Sequence, residues 1–125
     1  MKDVISTPRS PKAIGPYSQT IKGNGFVFVS GQLPIDPVSG QLLDGDVGAQ
    51  AELVIENFKA ILEAAGSSLA KTVKATIYLV DMNDFLRVNE AYAKFFALTP
   101  PARATVQVAR LPKDASVEID LIALP

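Results

Sequence analysis

Two rhythms of apolar positions run along this chain, one of period two and one close to period 3.6. The helical rhythm occurs twice. In the first stretch it places Val47, Ala51, Val54, Phe58, Ile61, Leu62 and Ala65 on one side, with Asp46 as N-cap and Gly66 as the stop. In the second it aligns Phe85, Val88, Tyr92, Phe95 and Phe96, with Asn83 or Asp84 as cap, and Pro100-Pro101 breaks it. Period-two alternation marks strands. Thr72–Val80 turns Val73, Ala75, Ile77 and Leu79 one way. Tyr17–Ile21 and Phe26–Gly31 flank the turn sequence KGNG and read as a hairpin, and a short edge strand fits near Val4–Ser6. The segment QLPIDPVSGQLLDGD, with two prolines and two glycines, is a long loop. The predicted order is β-β-β-α-β-α-β-β. This is an α+β fold in one domain, residues 1–125: a mixed β-sheet with two helices on one face.

Two stretches sharpen that picture. In FVFVSG, Phe26 and Phe28 point one way and Val27 and Val29 the other, so both faces of this strand require cover. The helices supply one cover. The simplest source of the other is a second copy of the chain, and a symmetric oligomer is expected; the alternative is a sheet that curls over itself. The closing stretch RATVQVARLPKDASVEIDL reads as a hairpin turning at Leu111–Asp114. That register pairs Gln107 with Glu118, Thr105 with Asp120 and Arg103 with Ile122. Ala104, Val106 and Val108 then join Val117, Ile119 and Leu121 on an apolar face. Arg103, Thr105, Gln107, Glu118 and Asp120 share a polar face.

Composition narrows the chemistry. The 125 residues include neither cysteine nor histidine. Disulfides, thiol catalysis, thiolate metal sites and the commonest general base are therefore absent. Catalysis must rest on carboxylates, arginine, hydroxyls, lysine or the backbone. The formal net charge is −1 and the basic residues are scattered, which argues against nucleic-acid binding. No apolar run is long enough for a membrane span and no signal-peptide core is visible, so a cytoplasmic location is expected.

Read from the residues alone, Arg103 is either a bidentate carboxylate clamp or one half of a structural ion pair with Glu118 or Asp120. Glu118 is either a water-holding base or the partner of an arginine. Lys74 and Lys113 lie in polar contexts and read as solvated surface rather than as Schiff-base lysines. KGNGF lacks the following helix of a phosphate cradle. Asp36, Asp44 and Asp46 lack the spacing of a calcium loop.

The segments AIGPYSQ, VSGQLP, NFKAILEAAG, VKATIYLVDMNDF, VNEAY and PARATVQVARLPKDASVEID together resemble the reactive intermediate deaminase family, also called Rid or YjgF, from about Ala13 to Ala123. The resemblance implies a trimeric, chorismate-mutase-like architecture: a homotrimer with a central barrel, helices outside and clefts between subunits. It implies hydrolysis of reactive 2-imino acids and enamines, such as 2-aminoacrylate and 2-iminobutanoate, to 2-keto acids and ammonia, which protects pyridoxal-phosphate enzymes. Neither cofactor nor metal is implied. The partner is a small carboxylate-bearing imine or enamine, with no nucleic acid or membrane. Carried over by motif, Arg103 binds the substrate carboxylate, Glu118 holds the attacking water, Tyr17 lines the cleft, Ser30 and Gly31 border it, and Asn89 approaches it. Thr105 stands where many members have cysteine, in a contact made through backbone. Gln107 replaces a common glutamate, and the loop before Pro100 is shorter than usual. The competing functions are a non-catalytic metabolite-binding trimer that regulates amino-acid or purine biosynthesis, and RNA cleavage as in some relatives.

Overall fold

The computed structural model describes all 125 residues. Its single sheet has six strands: β1 (Asp3–Ile5), β2 (Thr20–Gly23), β3 (Phe26–Gln32), β4 (Thr72–Leu79), β5 (Ala102–Gln107) and β6 (Val117–Ala123), in the spatial order β1-β2-β3-β6-β4-β5. Two helices, α1 (Val47–Ala64) and α2 (Phe85–Phe96), follow β3 and β4. No helix is long and apolar enough to cross a membrane. The α+β class, the element order and the two helices agree with the reading of the sequence.

Local chemistry accounts for the elements. Asn24 (φ 52°) and Gly25 (φ 79°) both take positive φ, so β2 and β3 are joined by a two-residue turn whose twist matches the strands. Asp46 accepts a hydrogen bond from the Ala49 amide at 3.1 Å and caps α1. At its other end Gly66 (φ 78°) allows a Schellman closure, in which Ser67 N–H donates to Leu62 O and Gly66 N–H to Glu63 O. The start of α2 differs from expectation. A 3-10 turn, Met82–Asp84, precedes the helix, and the capping acceptor is Asp81, bonded to Asn83 N–H at 2.9 Å, rather than Asn83 or Asp84. Tyr17 lies outside β2. The chain bends at Gly15 (φ 115°), Tyr17 N–H returns to Gly15 O, and pairing begins only at Thr20.

The final hairpin is not formed, and this is the largest departure from the sequence pattern. β5 pairs with β4 in parallel, at the sheet edge, while β6 inserts between β3 and β4, antiparallel to both. The cause is topological. β4-α2-β5 is a crossover unit, which sets its two strands parallel and adjacent. β6 instead fills the gap between β3 and β4, where both ladders are satisfied. The turn residues Lys113 (φ 59°) and Asp114 (φ 56°) sit in a left-handed 3-10 kink, not at a hairpin tip.

Both helices cover one face. Phe58, Ile55 and Ile61 of α1 and Val88 of α2 are buried with Val27, Ile77, Leu79, Val117 and Ile119 of the sheet. The other face stays open in the single chain and does not curl over itself: Phe26, Phe28 and Val106 are 39%, 45% and 41% exposed.

Candidate active site

The observed register moves the candidate residues to opposite sides of the sheet. Ala75 of β4 stands opposite both Arg103 and Leu121, which places Arg103 on the helix-covered face. Tyr78 stands opposite both Val106 and Glu118, which places Glu118 on the open face with Asp120, opposite Thr76. The expected shared polar face therefore does not exist. Thr105 and Gln107 lie on the side of Arg103, and Val106 on the side of Glu118.

Around Arg103 the sequence builds a cradle. The arginine is half-buried on the edge strand, beside α2. Its Nη1 donates to Asn89 Oδ1 at 2.8 Å. Its guanidinium carbon lies 4.8 Å from the centre of the Tyr92 ring and 5.7 Å from that of Phe85. A cavity of about 460 Å³ opens here between Asn89, Tyr92, Phe96 and the Pro100-Pro101 turn. No carboxylate pairs with Arg103. The ion pairs of the chain join Arg87 to Asp46, Lys94 to Glu52 and Arg110 to Asp114. The structural ion pair with Glu118 or Asp120 is thereby excluded within the chain.

Glu118 occupies a different setting. It projects from the central strand β6 into a cavity of about 510 Å³ shared with Tyr17, Gly31, Leu33, Ile35, Lys12 and Lys113. On the neighbouring strand, β3 has a bulge between Val29 and Gln32, beside Asp120. There Gly31 comes so close that a β-carbon would collide with Glu118 Oε2, so the carboxylate fits only over glycine. Burial, and secondarily the Asp120 carboxylate on the same strand face, raise the Glu118 carboxyl above the usual glutamate range. Asp120 accepts a hydrogen bond from the Tyr78 hydroxyl at 2.8 Å, an interaction that raises the tyrosine phenol. Tyr78 is thus engaged by Asp120, and Glu118 has no ion-pair partner.

The remaining candidates divide. Tyr17 lines the Glu118 cavity, and its hydroxyl accepts from Ile14 N–H at 3.4 Å. Ser30 is a clamp: its Oγ donates to Ser18 O at 2.6 Å and its amide to Gln19 O. The Thr105 hydroxyl is buried without a partner, beneath the sheet edge. The chain thus brings together Tyr17, Gly31 and Glu118 in one place and Arg103 and Asn89 in another, and does not bring the two groups together. The platform under Arg103 was missed in the sequence, where Tyr92 and Phe85 counted only as apolar helix positions. Their signal is the spacing Phe85, Asn89, Tyr92, one stripe of a helix. No cluster of three histidine, cysteine, aspartate or glutamate side chains is placed to hold a metal ion.

Comparison with known proteins identifies the fold and the family. The family model described as Endoribonuclease L-PSP matches residues 7–125. A RutC family protein of Pyrococcus horikoshii is 55% identical over 123 residues, 98% of each chain. The 2-iminobutanoate/2-iminopropanoate deaminase of Bos taurus is 47% identical over 124 residues, 99% of this chain and 90% of the bovine one. Among solved structures, a Rid-family protein of unknown function from Yersinia pestis superposes with a TM-score of 0.97 at 46% identity, covering 100% of both chains. E. coli TdcF with bound serine superposes with a TM-score of 0.93 at 47% identity over 98% of each chain. A six-stranded sheet with two helices on one face, together with these matches, defines the class: the chain belongs to the Rid family, also known by the L-PSP and YjgF names.

Proposed function

We propose that this protein is a cofactor-independent hydrolase of 2-imino acids and their enamine tautomers, 2-aminoacrylate and 2-iminobutanoate among them, and that it works as a homotrimer whose sites lie between subunits. The observation that carries the reading is the uncompensated charge of Arg103, half-buried and held by an amide and two rings rather than by a carboxylate. Such an arginine keeps its fork for an anion brought by a ligand. The open sheet face supports assembly, since Phe26, Phe28 and Val106 present apolar surface that a second copy would cover. Assembly also reconciles the geometry, because Arg103 of one subunit can then face Glu118 of the next. The bovine deaminase is a relative of the activity proposed. The serine bound by TdcF carries the same carboxylate and α-nitrogen as the proposed substrates.

The chemistry follows from these groups. An iminium carbon is electrophilic without covalent activation. The protein needs only to orient the anion and to hold water about 3 Å from that carbon. Arg103 and Asn89 orient the carboxylate. Glu118 accepts a proton as the water's oxygen bonds to the carbon, and its raised proton affinity suits that task. The resulting carbinolamine collapses as Glu118 returns the proton to nitrogen and then takes the proton of the carbinol hydroxyl, so that the C–N bond breaks, the C=O bond forms and ammonia leaves a 2-keto acid. Protection of pyridoxal-phosphate enzymes from these intermediates is the physiological role that this activity would serve.

The test is ammonia release from freshly generated 2-iminobutanoate. Release faster than the spontaneous rate supports the hydrolase. Saturable binding of 2-oxobutanoate without acceleration would assign the site to metabolite sensing instead. Cleavage of RNA with no effect on the imine would overturn both.

A further inference from the structure

We infer that Tyr92 and Phe85 are positioning residues for Arg103: a neutral aromatic bracket on one stripe of α2 that holds the guanidinium by its faces and leaves its in-plane donors to a bound carboxylate. The inference rests on the carboxylate-binding role proposed for Arg103 and goes on to say how that role is built. Three residues of α2, at 85, 89 and 92, contact the arginine from β5. Their spacing is i, i+4, i+7, so a single helix stripe carries ring, amide and ring. Asn89 takes one of the five N–H donors of the guanidinium. The rings take none, because a cation over a ring is attracted through its face.

The alternative way to fix an arginine is a carboxylate partner. That partner would occupy the same fork that a substrate carboxylate requires and would cancel the charge that attracts it. The protein uses such pairs elsewhere, at Arg87, Lys94 and Arg110, all on exposed side chains. At Arg103 it uses rings. Tyr92 is 4% exposed and is backed by Phe96, whose ring centre lies 4.6 Å away, so the platform is fixed by the core. Its hydroxyl is buried with no partner. The phenol therefore adds nothing that phenylalanine would lack, and the ring is the functional part. Burial also raises the Tyr92 phenol, so the group under the cation remains an uncharged ring rather than a competing anion.

The experiment compares Tyr92→Phe, Tyr92→Leu and Phe85→Leu with the parent in the full-length protein. Calorimetry measures binding of 2-oxobutanoate, kinetics separate KM from kcat for 2-iminobutanoate, and melting reports the fold. Tyr92→Phe should match the parent. Tyr92→Leu should weaken 2-oxobutanoate binding and raise KM by about three- to thirtyfold while kcat changes little. Phe85→Leu, at a less buried position, should do the same to a smaller degree and serves if Tyr92→Leu fails to fold. Val88→Ala removes buried volume from the same helix; it should lower the melting temperature and leave affinity unchanged. Parent-like affinity in both leucine variants would overturn the bracket, as would a Tyr92→Phe variant as weak as Tyr92→Leu. A parent that binds 2-oxobutanoate through these rings yet does not accelerate imine hydrolysis would defeat the deaminase reading and leave the bracket standing.

Discussion

The two halves of the candidate site solve opposite electrostatic problems. Arg103 sits on the edge strand β5, on the helix side, and is held by rings and an amide rather than by an anion. Glu118 sits on the central strand β6, on the open side, and is pushed toward its protonated form by burial and by Asp120, with no ion pair to offset them. Had both groups stood within pairing distance on one face of one chain, a salt bridge could have joined them. The arginine would have lost its fork and the glutamate its proton affinity. The sheet keeps them apart. On the proposed reading, assembly of two subunits would bring them near each other, and each half alone would be an incomplete site.

The largest effect expected from breaking this contrast is at the glutamate. Glu118→Gln keeps shape and hydrogen-bonding capacity but cannot accept the water's proton. Turnover of 2-iminobutanoate should fall about 10²–10⁴-fold with 2-oxobutanoate binding retained. Parent-like turnover in that variant would reduce Glu118 to a structural role. Next comes the arginine. Arg103→Ala should cost on the order of 2–5 kcal/mol of substrate affinity, and Arg103→Lys should retain charge yet lose the two-point grip. Because no carboxylate is left unpaired, melting should hardly change. A melting temperature that collapses in Arg103→Ala would show that the arginine is a strut.

Gly31→Ala sharpens the comparison from the other side. The added methyl meets Glu118 Oε2, so the carboxylate must swing away. Imine hydrolysis should drop while binding at the arginine side survives better, and unchanged rates would mean that the glutamate's placement is not critical. The smallest effect is on stability as a function of pH. Because the folded-state Glu118 carboxyl is raised above its ordinary value of 4.5, the folded protein holds a proton that the unfolded chain has already released. Stability from this group is therefore present at low pH and declines as pH rises from the usual glutamate range through the folded value. Glu118→Gln removes that decline. It should gain on the parent in melting temperature toward neutral pH and match it in acid; an identical pH dependence in both proteins would contradict the raised carboxyl.

How far the chain could be read in advance follows from the same contrast. The helices, the Asn24-Gly25 turn and β4 carry their information locally, in caps, turn residues and spacing, and they fold as their sequences indicate except at two ends: the cap of α2 moves to Asp81, and an irregularity between Thr72 and Lys74 leaves Val73 exposed, off the buried face of Ala75, Ile77 and Leu79. The motif resemblance named Arg103 and Glu118 as candidates, and the pattern of β5 and β6 placed them on one face, which the strand register overturns. Two alternating strands joined by LPKD look like a hairpin at any local level. What separates them is β4, more than twenty residues earlier, which claims a place beside each. The alternation of β5 is also weaker evidence than it looks. At a sheet edge beside α2, Arg103 and Thr105 can occupy the helix side without entering the centre of the core. The aromatic bracket was hidden for a related reason: Tyr92 is a core residue by periodicity, and its second task becomes visible only when β5 lays an arginine across it.

The central claim is that one catalytic centre needs Arg103 from one subunit and Glu118 from another. Mixing inactive Arg103→Ala and Glu118→Gln chains, unfolding them together and refolding them at equal concentration tests it directly. In a cyclic trimer, each mixed assembly contains one interface with both parental residues. Random mixing should therefore restore about a quarter of the parent's sites and a matching share of its imine hydrolysis. A refolded mixture no more active than the separate variants, with exchange of subunits verified by mass, would place both residues of each site in the same chain and contradict the account.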